Sequence, residues 1–205
     1  MDSETFTGPS LEKVHRDLAR IHGLLGSFPT IERFLRHSRF PVRSVLDVGC
    51  GGGDLLKYLR RRMGVEVIGV DLKPGDAAGV SIIAADATSE LLPKADVAIS
   101  LLLAHHLTPE QNIALIRNVG RSCKRFVILD LIRHPLPLTL FSIFLTPLIG
   151  KVAAADGKQS VRRAFTPEEF AAMVKEAVAG TGATFTIDVP MWLSRQVIDI
   201  RFGAE

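Results

Sequence analysis

Residues 47–54 read Asp-Val-Gly-Cys-Gly-Gly-Gly-Asp, with glycine at every second position from Gly49 to Gly53. Such a run is costly inside a helix or strand. It is useful where the backbone turns tightly or lets a ligand come close. The flanks decide between these uses. Ser44–Val48 (SVLDV) is a short apolar run of the kind that forms a parallel strand buried on both faces. A helix is expected from about Asp54 to Met63. Strand, glycine turn and helix in that order put the helix's unpaired N–H groups and positive dipole end at the carboxyl end of the strand. In a doubly wound sheet that edge is where ligands bind.

The same rhythm continues downstream. Val65–Val70, ending at Asp71, then Val80–Ala84 ahead of Asp86, Asp96–Leu102 and Phe126–Asp130 read as four more strands. Thr108-Pro109-Glu110-Gln111 and Thr166-Pro167-Glu168-Glu169 each open a helix. Both have threonine as N-cap, proline at the first helical position and a side chain three residues on that can reach back. Gly180 and Gly182 stop the second of these helices after about Val178. Thr184–Val189 and Trp192–Phe202 read as an antiparallel pair joined around Pro190. At the other end, residues 10–37 read as two short helices. Leu11, Val14, Leu18, Ile21, Leu24 and Leu25 recur at helical steps, Gly26–Pro29 interrupts, and Ile31, Phe34 and Leu35 resume. The expected fold is α/β: a doubly wound seven-stranded sheet, mostly parallel with an antiparallel C-terminal strand, plus N-terminal helices and a helical insert after the fifth strand. With 205 residues, 47% of them hydrophobic and 23% charged, the chain suits one domain over 1–205.

The spacing of the glycines bears on the ligand. A dinucleotide fingerprint needs G-x-G-x-x-G/A. Counted from Gly49 its last position is Asp54, and counted from Gly51 it is Leu56, so both frames fail. No G-x-x-x-x-G-K-[ST] phosphate loop is present either. The spacing that does occur is Asp-x-Gly-x-Gly-x-Gly, over Asp47, Gly49, Gly51 and Gly53. Two further aspartates, Asp71 and Asp86, follow successive strands and converge on the same sheet edge. A carboxylate there can accept strong hydrogen bonds from ligand hydroxyls.

VLDVGCGGG resembles the first motif of the class I S-adenosylmethionine-dependent methyltransferases, a resemblance that covers roughly residues 42–131, and the stretch from Asp156 to Pro167 is similar to a segment of their bacterial small-molecule type. The resemblance implies a Rossmann-like fold and S-adenosylmethionine as cofactor. It implies that the glycine loop cradles the amino-acid part of the cofactor, that Asp71 in VEVIGVD meets the ribose hydroxyls, and that Asp86 in AADA lies beside the adenine amino group. The cofactor-binding residues expected are Asp47, Gly49, Cys50, Gly51, Gly53, Asp71, Leu72, Asp86, Ala87 and Ser100. For Asp47 a second role stays open, that of holding the loop through backbone N–H groups. WLSRQVIDIRF resembles the closing antiparallel strand of the family.

The fourth strand runs into Ser100-Leu101-Leu102-Leu103-Ala104-His105-His106-Leu107, where the family topology points at the reactive methyl group. Methyl transfer is a displacement for which the cofactor brings the activation and the protein brings alignment. A hydroxyl acceptor must also lose its proton. An imidazole can share that proton near neutral pH, so His106 or His105 is the candidate base. Packing of the pair in the loop ahead of Thr108 is the alternative. No Asp/Asn-Pro-Pro-Tyr/Phe follows this strand, which argues against a nucleic-acid base amine as acceptor, and no metal-ligand cluster is evident. After the fifth strand, residues 131–163 hold an apolar run from Leu136 to Ile149. With the N-terminal helices it reads as a lid over an apolar pocket, while a homodimer interface and a membrane-surface contact remain open. The segment from Asp156 to Pro167 resembles methyltransferases of quinone, phenolic and polyketide-like substrates. Arg133 and Arg162 are the candidate substrate-binding residues.

The expected function is therefore methylation of a small apolar molecule at a hydroxyl oxygen. An RNA or protein methyltransferase and a noncatalytic cofactor-binding scaffold are the alternatives. A net charge of +3, with 6% aromatics, argues against a nucleic-acid partner. Arg60-Arg61-Arg62 reads as a solvated helix face. The run Leu136–Ile149 falls short of the about 20 residues that span a bilayer. Met1–Pro9 is polar and acidic, unlike a signal peptide, and the cysteines Cys50 and Cys123 read as small buried hydrophobes. A cytoplasmic location is expected.

Overall fold

The computed structural model describes residues 26–75, 79–134, 159–189 and 195–203. In chain order these form α1 (Ser27–Arg36), β1 (Ser44–Val48), α2 (Asp54–Met63), β2 (Glu66–Asp71), β3 (Ser81–Ala84), β4 (Ala95–Leu101), a 3-10 turn (Ala104–His106), α3 (Pro109–Gly120), β5 (Cys123–Leu131), α4 (Pro167–Ala177), β6 (Thr184–Asp188) and β7 (Arg195–Arg201). The seven strands make one sheet in the order β3-β2-β1-β4-β5-β7-β6. β1 to β5 are parallel neighbours, and β7 enters antiparallel between β5 and β6. This is the expected doubly wound architecture. The order reverses between β1 and β4, so the carboxyl ends of these strands diverge and open a crevice.

Both faces are covered. Ile31 and Leu35 of α1 and Leu55 and Leu59 of α2 pack with Val45, Val97, Ile99, Val127, Leu129 and Val197. Ile113 and Ile116 of α3 and Phe170 and Val174 of α4 pack on Leu46, Ala98, Phe126, Ile128, Ile198 and Ile200. Alternate strand residues feed the two cores because successive side chains leave opposite faces. α1, the described part of residues 10–37, thus packs on the sheet. Ile31 is fully buried and Leu35 nearly so because they close the sheet's central strands. Residues 10–25 and the apolar run 136–149 lie outside the described residues.

Local signals hold closely. Thr108 and Thr166 each form a complete capping box with proline in the first turn. Gly180 and Gly182 sit at φ 74° and 72° beyond α4. β5 begins at Cys123, three residues before the expected start, where Cys123 pairs with Ala95 of β4. Arg60, Arg61 and Arg62 are exposed, as expected. Among the described residues no helix is long and apolar enough to cross a membrane.

Candidate active site

The glycine turn is a run of left-handed backbone: φ is 75° at Gly49, 53° at Gly51 and 70° at Gly53. Other residues rarely adopt these angles, so the alternating glycines are a requirement of the path. The turn is tied to its neighbour. The Gly49 N–H donates to the Val70 carbonyl at 2.8 Å, and Gly75 N–H to the Gly51 carbonyl at 3.1 Å. Asp71 accepts from the Gly51 N–H through Oδ2 and from the Lys73 N–H through Oδ1, both at 2.8 Å. Each carboxylate oxygen keeps a second lone pair for a ligand hydroxyl. Asp71 therefore braces the loop as well as facing the ligand edge. That bracing role had been left open for Asp47, which does something else. Asp47 is 2% exposed, and its Oδ1 has no hydrogen-bond partner among the described residues. Burial, and then the charge of Asp71, hold its carboxyl well above the usual carboxylate range.

A cavity of about 280 Å³ opens where β1, β2, β3 and β4 end, and its walls include Val48, Gly49, Asp71, Leu72, Asp86, Ala87, Leu103, His106 and Gln111. Five of the expected cofactor residues, Gly49, Asp71, Leu72, Asp86 and Ala87, meet here with one of the two histidines. Leu72 is a large apolar side chain left 68% exposed at the rim, where it can cover a flat apolar ring. Asp86 is fixed by Thr88, whose hydroxyl and N–H donate to Oδ1 at 2.7 and 2.8 Å and hold the carboxyl below its usual range. A larger cavity of about 520 Å³ lies at the opposite sheet edge, among Ser44, Asp96, Ser122 and Lys124. Asp96 there is engaged by the backbone of Arg43 and Ser44. That edge holds strand starts, and none of the expected site residues.

Other expected residues lie elsewhere. Gly51 and Gly53 belong to the turn beside the cavity. Cys50 tucks its thiol under β2, where a Cβ on Gly69 would come within 2.5 Å of it. Burial pushes that thiol up to about 12, so it is inert, and only its backbone is available to a ligand. Ser100 is 1% exposed inside β4 and does not line the cavity. Arg133 is ion-paired with Glu169 of α4 on the surface, and Arg162 is exposed. Neither reaches the cavity among the described residues. Arg133 stops short because its own N–H is bound to the Phe165 carbonyl, which fixes it against the segment leading into α4.

The histidines divide. His106 is exposed and lines the cavity, whereas His105 is 5% exposed. His105 Nδ1 donates to Asp130 Oδ1 at 2.7 Å, and its backbone N–H donates to Asp130 Oδ2 at 3.3 Å. The two imidazoles lie against each other, with centroids 4.1 Å apart and planes tilted by 39°. Asp130 was read in the sequence only as the end of a strand. Its signal was a carboxylate closing the apolar run Phe126–Leu129 at the ligand edge.

Residues 45–125 match the family model described as a methyltransferase domain. No curated protein sequence matches the chain. Among solved structures, the plantazolicin methyltransferase BamL, in complex with a triazolic desmethylPZN analogue and SAH, is 19% identical with a TM-score of 0.78. The match covers 98% of this chain and 93% of that one. The plantazolicin methyltransferase BpumL in complex with SAH is 16% identical with a TM-score of 0.75, covering 97% and 92%. A bacterial Hen1 methyltransferase domain is 14% identical with a TM-score of 0.64, covering 87% and 97%. At these identities the likeness is one of fold. The BamL and BpumL structures hold SAH, the product left by the methyl donor S-adenosylmethionine. The residues fit that donor. The left-handed turn exposes backbone to its amino-acid part, Asp71 can accept from ribose hydroxyls, and Leu72, Asp86 and Ala87 can frame an adenine. The unpartnered Asp47 carboxyl suits an ammonium group.

Proposed function

We propose that this protein is an S-adenosylmethionine-dependent methyltransferase that acts on a hydroxyl oxygen of a small apolar molecule of phenolic, quinone-like or polyketide-like type. One observation carries the reading: His106 shares a cavity with Asp71 and Asp86, so an imidazole stands beside the donor site. The walls next to it are apolar, with Leu103, Leu107 and Leu115. Bound S-adenosylmethionine supplies an electrophilic methyl carbon and takes the displaced electron pair onto sulfur. The chain's residues do the rest. Leu103 and Leu107 exclude water and align an apolar acceptor. His106 receives the hydroxyl proton as the oxygen becomes nucleophilic, which suits an imidazole and a phenol at neutral pH.

Calorimetry tests the donor, with S-adenosylmethionine and S-adenosylhomocysteine as ligands and NAD as control. Micromolar binding of the first two and none of NAD is expected. Transfer of labelled methyl to a panel of alkylphenols, and none to RNA or protein, supports the acceptor class. Labelled RNA or protein instead overturns it. Donor binding without transfer to any of these supports a scaffold.

A further inference from the structure

We propose that Asp130 and His105 are a positioning pair that presents His106 to the acceptor. The proposal rests on the reading of His106 as the base. The turn that carries both histidines is gripped from two sides. From β5, Asp130 takes the ring Nδ1–H and the backbone N–H of His105, fixing side chain and main chain with one carboxylate. From α3, Asn112, 1% exposed, donates to the carbonyls of Ala104, Leu107 and Thr108 at 3.0, 3.4 and 3.1 Å. Just before the turn, Leu102 is the one non-glycine among the described residues with positive φ, at 57°. Its N–H donates to the Leu129 carbonyl, adjoining Asp130. A leucine held there is strained, and such strain collects where a site needs a set direction.

A buried ionisable pair is a costly way to hold a turn, because apolar packing does it without desolvating charge. What the pair adds is electrostatic. Asp130 accepts from Nδ1–H and so fixes the orientation of the His105 ring, and its carboxylate stands behind the two neighbouring rings. When His106 takes the acceptor's proton, the O–H electron pair is freed for the new oxygen–carbon bond and the imidazolium faces that negative charge. The charge raises the basicity of His106. Arg195 of β7 moderates the effect. Its buried guanidinium is pushed down to about 10 by desolvation, against the opposing pull of Asp130. Asp71 and Asp86 line the same cavity as His106 and bring further carboxylates to it.

The test uses the full chain and three variants, Asp130→Asn, His105→Asn and, as a reference for the second, His105→Ala. The first removes the charge and keeps the shape. The second keeps a donor for Asp130 and removes the ring. NMR titration of the ligand-free protein should show the His106 midpoint falling by about half a pH unit or more in Asp130→Asn, the sign expected when a nearby negative charge is lost. With an alkylphenol probe, the acid limb of kcat should move down by the same amount. The plateau should fall about tenfold or more, while KM and S-adenosylmethionine affinity hold. His105→Asn should keep more of kcat than His105→Ala. An unchanged His106 titration in Asp130→Asn overturns the proposal. So does a kcat loss equal at every pH and matched by lower thermal stability in both Asp130→Asn and His105→Asn. If no hydroxyl probe is methylated, the base reading fails, and the NMR titration still decides whether the pair sets the His106 midpoint.

Discussion

The two halves of the cavity are built differently. The donor half, at the ends of β1, β2 and β3, is made of backbone: three left-handed glycines, a turn braced by Asp71 and a second turn locked by Asp86 and Thr88. Every part lies within a few residues of the strand that delivers it. The proposed acceptor half, at the carboxyl ends of β4 and β5 and the start of β7, is backed by side chains packed behind the cavity wall. His105 is bound to Asp130, Arg195 lies within the field of that carboxylate, and Ser27 of α1 accepts from Arg195. Those partners span residues 27 to 195. A binding pocket for one invariant ligand can be cast in the main chain, whereas a reacting group needs a direction and a proton affinity that only packed, paired side chains supply.

Mutations can break this contrast, and the largest effect belongs to the acceptor half. His106→Ala should lower kcat roughly 100-fold or more with donor affinity unchanged. Equal loss of donor binding would place that ring in the donor half instead. Asp71→Ala comes next. It removes a hydroxyl acceptor and the brace on Gly51 together, so S-adenosylmethionine affinity should fall well over tenfold, about 1.4 kcal/mol or more. Unchanged calorimetric affinity would remove Asp71 from the site. Gly49→Ala should cost about 1 kcal/mol or more of stability through its φ of 75°, and it brings a methyl within 2.9 Å of Leu103. A thermal melt identical to the parent would show that the turn tolerates a side chain.

Asp47 yields a pH dependence. Its folded pKa is raised, so the ligand-free fold favours the protonated carboxyl and loses stability as pH rises through that pKa. A cationic ammonium prefers the ionised form, so donor affinity should rise over the same interval. Asp47→Asn should flatten both curves, and an affinity slope that persists in the variant would assign the titration to another group. Smallest is Arg133→Ala. It breaks a half-exposed pair with Glu169 and should change stability by no more than about 1 kcal/mol, with KM constant. A raised KM would bring this arginine back to the acceptor.

The same contrast explains what could be read in advance. The strands, both capping boxes and the glycine turn were legible because each is decided by neighbours in sequence. Asp71 and Asp86 were legible because a strand end fixes their position. The roles of the two histidines were not. His105 and His106 are adjacent and alike, and only the position of Asp130, 25 residues away, sends one ring inward and leaves the other at the cavity. The packing of α1 on the sheet was hidden for a similar reason: an amphipathic helix shows which side it buries, not against what. Arg133 looked like a pocket residue from its place after β5, and its partner Glu169 lies on a helix that starts far downstream.

The fit of Cys50 beneath β2 makes the protein its own reporter. The thiol is held at about 12 and seated where Gly69 has no side chain, on a residue of the very turn that would grip the donor. Alkylating reagents attack the thiolate, so at neutral pH the reaction must wait for the turn to lift and the sulfur to meet water. Labelling of Cys50 therefore acts as a clock for loop opening. It should slow when donor occupies the turn, whether or not an acceptor has been found.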